Sequence, residues 1–235
     1  MPNDWFKFRQ FIVKQDRCAM KVGTDGVLLG SWCDAGNSSN ILDAGTGTGL
    51  IALICAQRSQ ASVTGIEIDP AAACQARENF QASPWKDRLG LITGDIRETE
   101  LFRDVKYDLV VSNPPYYEES LLGKNNDRNI ARHGIKISLN DLIDSIIKIL
   151  EPGGKISLII PSSRDHEIRK KMSECGFYPD RYAMVASRPG DRVIRVMSEW
   201  TMQEKEINSE RIYIYKAGSN ELHPLYRNLT GDFYL

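Results

Sequence analysis

The tetrapeptide Asn113-Pro114-Pro115-Tyr116 closes an apolar run, Tyr107-Asp108-Leu109-Val110-Val111-Ser112, and offers chemistry that a plain turn does not need. Each proline disfavours the α region for the residue before it, so Asn113 and Pro114 are expected to be extended. Proline donates no N–H, which leaves nearby carbonyls open to other donors. The turn therefore presents an amide oxygen, a carbonyl oxygen and an aromatic face together. Those groups suit a flat, amino-bearing substrate. An exocyclic amine is a poor nucleophile because its lone pair is delocalised into the ring. If the Asn113 amide oxygen and the Pro114 carbonyl accept from both amine hydrogens, the nitrogen becomes more tetrahedral and its developing positive charge is stabilised. Tyr116 suits stacking on the ring, a contact worth about 1–3 kcal/mol per base. A planar carboxamide presents the same geometry, so the tetrapeptide does not choose between the two.

A second set of residues suits a bound partner for such a reaction. Asp43-Ala44-Gly45-Thr46-Gly47-Thr48-Gly49 falls between a short apolar run and a helical pattern. Glycines let the backbone turn tightly and approach a ligand, and a helix N-terminus adds unpaired N–H groups. On its own G-x-G-x-G also fits a dinucleotide fingerprint. The acid two residues before Gly45, and a spacing unlike the G-x-G-x-x-G of pyrophosphate binders, weigh against that. Glu67 follows Gly45 by 22 residues, at the end of the next apolar run, where a carboxylate can accept from ribose hydroxyls. Asp95, followed by Ile96, falls after a third run, where an adenine ring would lie. Asp95 also reads as an N-cap for the residues after it.

These positions require strands that end side by side. From residue 40 onward, short apolar runs alternate with helical patterns, the mark of βαβ units and a parallel sheet. Strands are expected at Asn40–Asp43, Ala61–Ile66, Leu89–Thr93, Tyr107–Ser112 and Lys155–Ile160. Helices are expected at Gly47–Arg58, from Pro70 to about Gln81, at Ser138–Leu150 and at Ser163–Cys175. After Gly176, Phe177–Ala186 and Arg192–Met202 read as an antiparallel hairpin around Ser187-Arg188-Pro189-Gly190. Residues 117–137 lack apolar periodicity and read as a functional loop or a disordered lid.

At 235 residues the chain suits one domain with a small extension. Five scattered cysteines without a C-x-x-C pair argue against a disulfide framework or a zinc site and for a reducing compartment. No cluster of ligands suggests a metal. The first ten residues lack an apolar signal-peptide core, and the longest uncharged core-like stretch, Ala44 to Gln57, is too short to span a bilayer. A soluble, cytoplasmic enzyme is the expectation. Net charge is −1, which removes whole-molecule attraction to nucleic acid. Two local runs are nonetheless basic: Lys7, Arg9, Lys14, Arg17 and Lys21 against Asp16, and Lys124, Arg128, Arg132 and Lys136 against Asp127. Either run also reads as a basic, solvated loop.

The motifs, in this order over roughly residues 20–200, resemble the class I S-adenosylmethionine (SAM)-dependent methyltransferases. The resemblance implies a Rossmann-like α/β fold: a seven-stranded, mostly parallel sheet with a C-terminal antiparallel strand and helices on both faces. It implies that Asp43, Gly45, Gly47 and Gly49 hold the methionine portion of SAM, Glu67 its ribose, and Asp95 with Ile96 its adenine. Asn113, Pro114, Pro115 and Tyr116 would form the catalytic motif of amino-methyltransferases, with no metal and with S-adenosylhomocysteine as product. The segment Asp16 to Gly30, Ser83-Pro84-Trp85, Ser112 to Tyr117 and Phe233-Tyr234-Leu235 are similar to the bacterial tRNA1(Val) adenine-37 N6-methyltransferase family. By that resemblance Lys21 and Thr24 contact SAM; their segment also reads as a helix cap and a tight turn. Residues 1–36 would be an extension packing on the cofactor and substrate side, and 37–235 the methyltransferase domain.

tRNA is then the expected partner, with no obligate protein partner evident. Lys124, Arg128, Arg132 and His133 are candidates for RNA phosphates, which dominate affinity without conferring sequence choice. Phe6, Phe8 and Phe11, interleaved with Lys7 and Arg9, suit RNA stacking or, more simply, core packing. Arg169-Lys170-Lys171 reads as a solvated helix face. Two other functions share these motifs: methylation of a protein glutamine amide at N5, and non-catalytic RNA binding on the same fold.

Overall fold

The computed structural model describes residues 3–18, 20–114 and 137–234. Two short strands, β1 (Trp5–Lys7) and β2 (Ile12–Lys14), pair as an antiparallel hairpin. Helix α1 (Thr24–Trp32) follows, and then β3 (Asn40–Ala44), α2 (Leu50–Arg58), β4 (Ser62–Glu67), α3 (Pro70–Gln81), β5 (Leu89–Thr93) and β6 (Tyr107–Ser112). Next come α4 (Leu139–Ile149), β7 (Leu150–Pro161), α5 (Asp165–Glu174), β8 (Tyr178–Ala186), β9 (Val193–Thr201), β10 (Asn208–Tyr213) and α6 (Pro224–Thr230).

The main sheet has the strand order β10-β8-β9-β7-β6-β3-β4-β5. Eight strands stand where seven were expected, because β10 pairs parallel to β8 at the edge. Its segment, Asn-Ser-Glu-Arg-Ile-Tyr, carries no apolar alternation, and charged side chains suit an unpaired edge. Strand β9 alone runs antiparallel to its neighbours, β7 and β8, as the hairpin reading of 177–202 requires. The chain leaves β3 for β4 on one side and reaches β6 on the other. The topological switch point therefore lies between β3 and β6, where open α/β sheets place their ligands.

Local chemistry explains the element ends. Asp69 caps α3 by accepting from the Ala71 and Ala72 amides, with Pro70 at the first helical position. Ser138 caps α4 through the Asp141 amide. Helix α2 begins at Leu50 rather than at the expected Gly47, because Gly47 and Gly49 take positive φ values of 55° and 83°. The core is double. One apolar cluster joins α1, α2 and the aromatic hairpin to one sheet face, and another packs α4 and α5 on the opposite face. Alternating strand residues feed the two, Ile41 and Leu109 to the first and Leu42 and Val110 to the second. No helix among the described residues is long and apolar enough to cross a membrane.

Candidate active site

Four strands bring their C-terminal ends together. In the ladder Ser112 of β6 pairs with Ala44 of β3, Ala44 pairs with Ile66 of β4, and Glu67 of β4 pairs with Thr93 of β5. Asn113, Gly45, Glu67 and Asp95 therefore leave adjacent strands at one rim. Ser112 Oγ donates to the Ala44 carbonyl at 2.7 Å, tying the end of β6, just before Asn113, to the end of β3, where the glycine loop begins. Asn113 is half-buried and Pro114 is buried.

The loop after β3 is held by backbone bonds to β4. The Gly45 and Thr46 amides both donate to the Ile66 carbonyl at 3.0 Å. The Gly47 amide donates to Glu67 Oε2 at 2.9 Å, and the Asp69 amide to Glu67 Oε1 at 3.0 Å. Gly45 and Gly47 have φ of 77° and 55°, and a Cβ on either would meet no atom within 4 Å. The open space above them is a cradle that side chains would fill. Gly49 is different: its φ is 83° and a Cβ there would lie 2.5 Å from the Phe80 ring.

Asp43 sits beneath this loop and is buried. Its Oδ2 accepts from the Thr46 hydroxyl at 2.6 Å and the Ala52 amide at 3.1 Å. Its Oδ1 is buried with no hydrogen-bond partner among the described residues. Burial pushes the Asp43 carboxyl up to about 7, against the lowering effect of Thr46 and Ala52. A buried acceptor without a donor, beside an open glycine cradle, fits a ligand that brings a cationic donor. Glu67 fits as well: two of its carboxylate's four lone-pair positions are taken by backbone amides, leaving acceptors for hydroxyls.

Asp95 is buried and paired. Its Oδ1 accepts from the Arg97 amide at 2.9 Å, and the Arg97 guanidinium spans both carboxylate oxygens. The Arg97 side chain holds the Asp95 carboxyl below its ordinary value, against the opposing effect of burial. Asp95 caps a turn here rather than an α-helix, since the chain continues into a single 3-10 turn, Thr99–Phe102. Ile96 is buried beside it in the apolar cluster.

The N-terminal segment approaches the same rim. The Lys14 amide donates to Asn79 Oδ1 of α3, the Arg17 amide to Gln75 Oε1, and the Arg17 guanidinium to Glu78 at 2.7 Å. Cys18 then faces Glu67 and Asp69; burial first, and these carboxylates next, push its thiol up to about 12. Lys21 is exposed and its Nζ donates to the Asn3 carbonyl. Thr24 opens α1, and Asp25 beside it pairs with Arg195 of β9 at 2.7 Å. Phe8 and Phe11 are buried, which settles the aromatic stretch in favour of packing.

Pro115, Tyr116, Lys124, Arg128, Arg132 and His133 lie outside the described residues. Among the described residues, no group of three or more His, Cys, Asp or Glu side chains could hold a metal. Three residues the sequence did not single out support the site. Thr46 binds Asp43, Arg97 binds Asp95, and Asn79 joins the glycine loop to β2 by donating to the Thr48 and Lys14 carbonyls at 2.8 and 2.9 Å. Asparagine is poorly suited to a helix interior, and that was the available signal for Asn79.

The chain matches the model of the methyltransferase small domain over residues 19–175. It is 40% identical to the tRNA1(Val) (adenine(37)-N6)-methyltransferase of Bacteroides fragilis, covering all of this chain and 99% of that one. The crystal structure of a predicted O-methyltransferase from Agrobacterium tumefaciens superposes with a TM-score of 0.71 at 21% identity, covering 89% of this chain and 96% of that one. The glycopeptide N-methyltransferase MtfA, solved with SAM, matches 79% of this chain and 97% of its own, at a TM-score of 0.57 and 15% identity. These two likenesses concern the fold, which is that of the class I methyltransferases. The chain belongs to the methyltransferase small-domain family and, within it, to the tRNA1(Val) (adenine(37)-N6)-methyltransferases.

Proposed function

We propose that this protein transfers a methyl group from SAM to the N6 amine of an adenosine in tRNA, at position 37 beside the anticodon of tRNA1(Val). The observation that carries the reading is the pairing of Ser112 with Ala44, which sets Asn113 directly beside the glycine loop. A substrate amine held at Asn113 then faces whatever lies over Gly45 and Gly47. The substrate itself follows from the family.

SAM, when bound, supplies an electrophilic methyl. The other tasks fall to the chain's own residues. Gly45, Gly47 and Gly49 shape the cradle, and Asp43 Oδ1 offers its unused acceptor to the ligand's ammonium. Glu67 accepts from ribose hydroxyls, Asp95 and Ile96 border the adenine, and Lys21 and Thr24 close over the rim. Asn113 Oδ1 and the Pro114 carbonyl accept from the two amine hydrogens, localising the lone pair on nitrogen and stabilising its developing charge. Alignment of that nitrogen with the methyl supplies much of the remaining acceleration. Tyr116 is assigned the stack on a base splayed from its loop, and Lys124, Arg128, Arg132 and His133 the phosphates. The enzyme would work in the cytoplasm.

Asn113→Ala tests the reading on unmodified tRNA, scored by nucleoside mass spectrometry. The variant should bind SAM within about twofold of wild type and lose roughly 10²–10³ in kcat, the range seen when one transition-state hydrogen bond is removed. A wild-type product other than N6-methyladenosine, or an N113A variant of unchanged kcat, would overturn it.

A further inference from the structure

The hairpin at the start of the chain has one face in the core and one in solvent. Val13 is buried and Phe6 is partly buried, with the Phe6 and Phe8 ring centroids 4.7 Å apart. Phe8 stacks on Phe11, which meets Trp85 edge-on. The opposite face carries Trp5, Lys7, Ile12 and Lys14, which line one shallow cleft. Trp5 pairs across the ladder with Lys14, and Lys7 with Ile12, so apolar and cationic groups alternate over this face.

Trp5 is 53% exposed and Ile12 48% exposed. Among the described residues, a tryptophan left this open beside an exposed isoleucine marks a contact surface. The charge around it selects the occupant. Lys7, Arg9, Lys14, Arg17 and Lys21 stand against one acid, Asp16, in residues 5–21 of a chain whose net charge is −1. Arg17 is held by Glu78, whereas Lys7 has no ion-pair partner among the described residues and Lys14 lies 3.9 Å from Glu78. Cations flanking an exposed indole suit a polyanion that carries planar bases.

The face is also connected to the site. From Lys14 at Asn79, through Arg17 at Gln75, to Cys18 at Asp69 and Glu67, the chain climbs α3 toward its N-terminus. About ten helical residues separate Asn79 from Asp69, a rise of about 15 Å. The hairpin face thus lies about one helix length from the rim, and Asn79 binds β2 to the glycine loop.

We propose that the outward face of the β1–β2 hairpin is an RNA-docking platform, with Trp5 stacking on a base and Lys7 and Lys14 holding the flanking phosphates. The platform rests on the tRNA reading above and adds to it a surface away from the catalytic turn. Trp5→Ala should weaken binding of unmodified tRNA by roughly 5- to 150-fold, the range of one base–aromatic stack. The Lys7→Gln, Lys14→Gln double variant should lower the salt dependence of log K by about 1 to 2, one for each phosphate no longer held. In both variants SAM affinity and Tm should hold while KM for tRNA rises. Wild-type tRNA affinity in both variants, from an enzyme that methylates tRNA, would sink the platform and spare the function. Retained tRNA affinity with a change of mass on sedimentation would assign the face to a second copy of the chain instead. A wild type that neither binds nor methylates tRNA would overturn the function reading and the platform with it.

Discussion

Glu67 Oε2 accepts from the Gly47 amide at 2.9 Å, so the carboxylate at the end of β4 shapes the loop after β3. Its other oxygen accepts from the Asp69 amide and shapes the entry to α3. One acid thus fixes two backbone segments, while keeping acceptors for a hydroxyl-bearing ligand.

Glu67→Gln should therefore damage more than ribose binding. An amide has one acceptor oxygen, and its NH2 would face a backbone N–H at the other position. Calorimetry is expected to show SAM affinity reduced at least tenfold, with Tm lowered as well. A variant that loses affinity while keeping wild-type Tm would deny Glu67 its part in holding the loop.

Asp43 makes a pH-dependent contribution of defined sign. Its folded-state carboxyl lies at about 7, against an ordinary 3.8, because burial penalises the charged form. The folded state binds this proton more tightly than the unfolded chain does. Asp43 therefore favours folding fully below about pH 4, and that contribution is lost as pH rises toward 7. Asp43→Asn removes the titration and keeps an acceptor for Thr46 and Ala52. In ligand-free protein the variant's Tm should gain on wild type between pH 4 and pH 7. Parallel Tm curves across that window would show that Asp43 does not titrate there.

Two glycines in one loop should fail in different ways. Gly49→Ala combines a positive φ with a Cβ 2.5 Å from Phe80, and is expected to destabilise by about 2–4 kcal/mol. Gly45→Ala has the φ penalty of about 1–2 kcal/mol with nothing nearby to clash. Its Cβ instead enters the cradle, so its loss of SAM affinity should exceed its loss of stability. Chemical denaturation and calorimetry on the pair will separate the two; equal stability losses would contradict the assignment.

Asn79 joins two segments through its side chain alone. Its amide oxygen accepts from the Lys14 amide, and its NH2 donates to the Lys14 and Thr48 carbonyls. Asn79→Ala leaves buried groups of β2 and the glycine loop unpaired, at a cost of about 1–3 kcal/mol. Hydrogen exchange should rise at Lys14 together with the amides after Thr48. Faster exchange confined to β2 would show that the hairpin and the loop are not joined through this residue.

The sequence by itself determined the alternation of strands and helices from residue 40, the acid–glycine loop after β3, and the places of Glu67, Asp95 and Asn113 at or just past strand ends. These were legible because each depends on local chemistry: apolar periodicity, a glycine where φ is positive, a proline that constrains its neighbour. The edge strand β10 and the hairpin face were not legible. Asn208–Tyr213 becomes a strand only because β8 offers an unpaired ladder, and no pattern of its own announces that. Likewise Phe6, Phe8 and Phe11 allowed two readings until the fold turned them inward and left Trp5 outside. Only tertiary structure decided which polar groups would find partners. Glu67 accepts from the Gly47 amide 20 positions away, Asn79 reaches Thr48 across 31 positions, and Asp43 Oδ1 is left buried with no donor among the described residues. Hydrogen bonds between distant segments form where packing brings them together, and packing is a property of the whole chain.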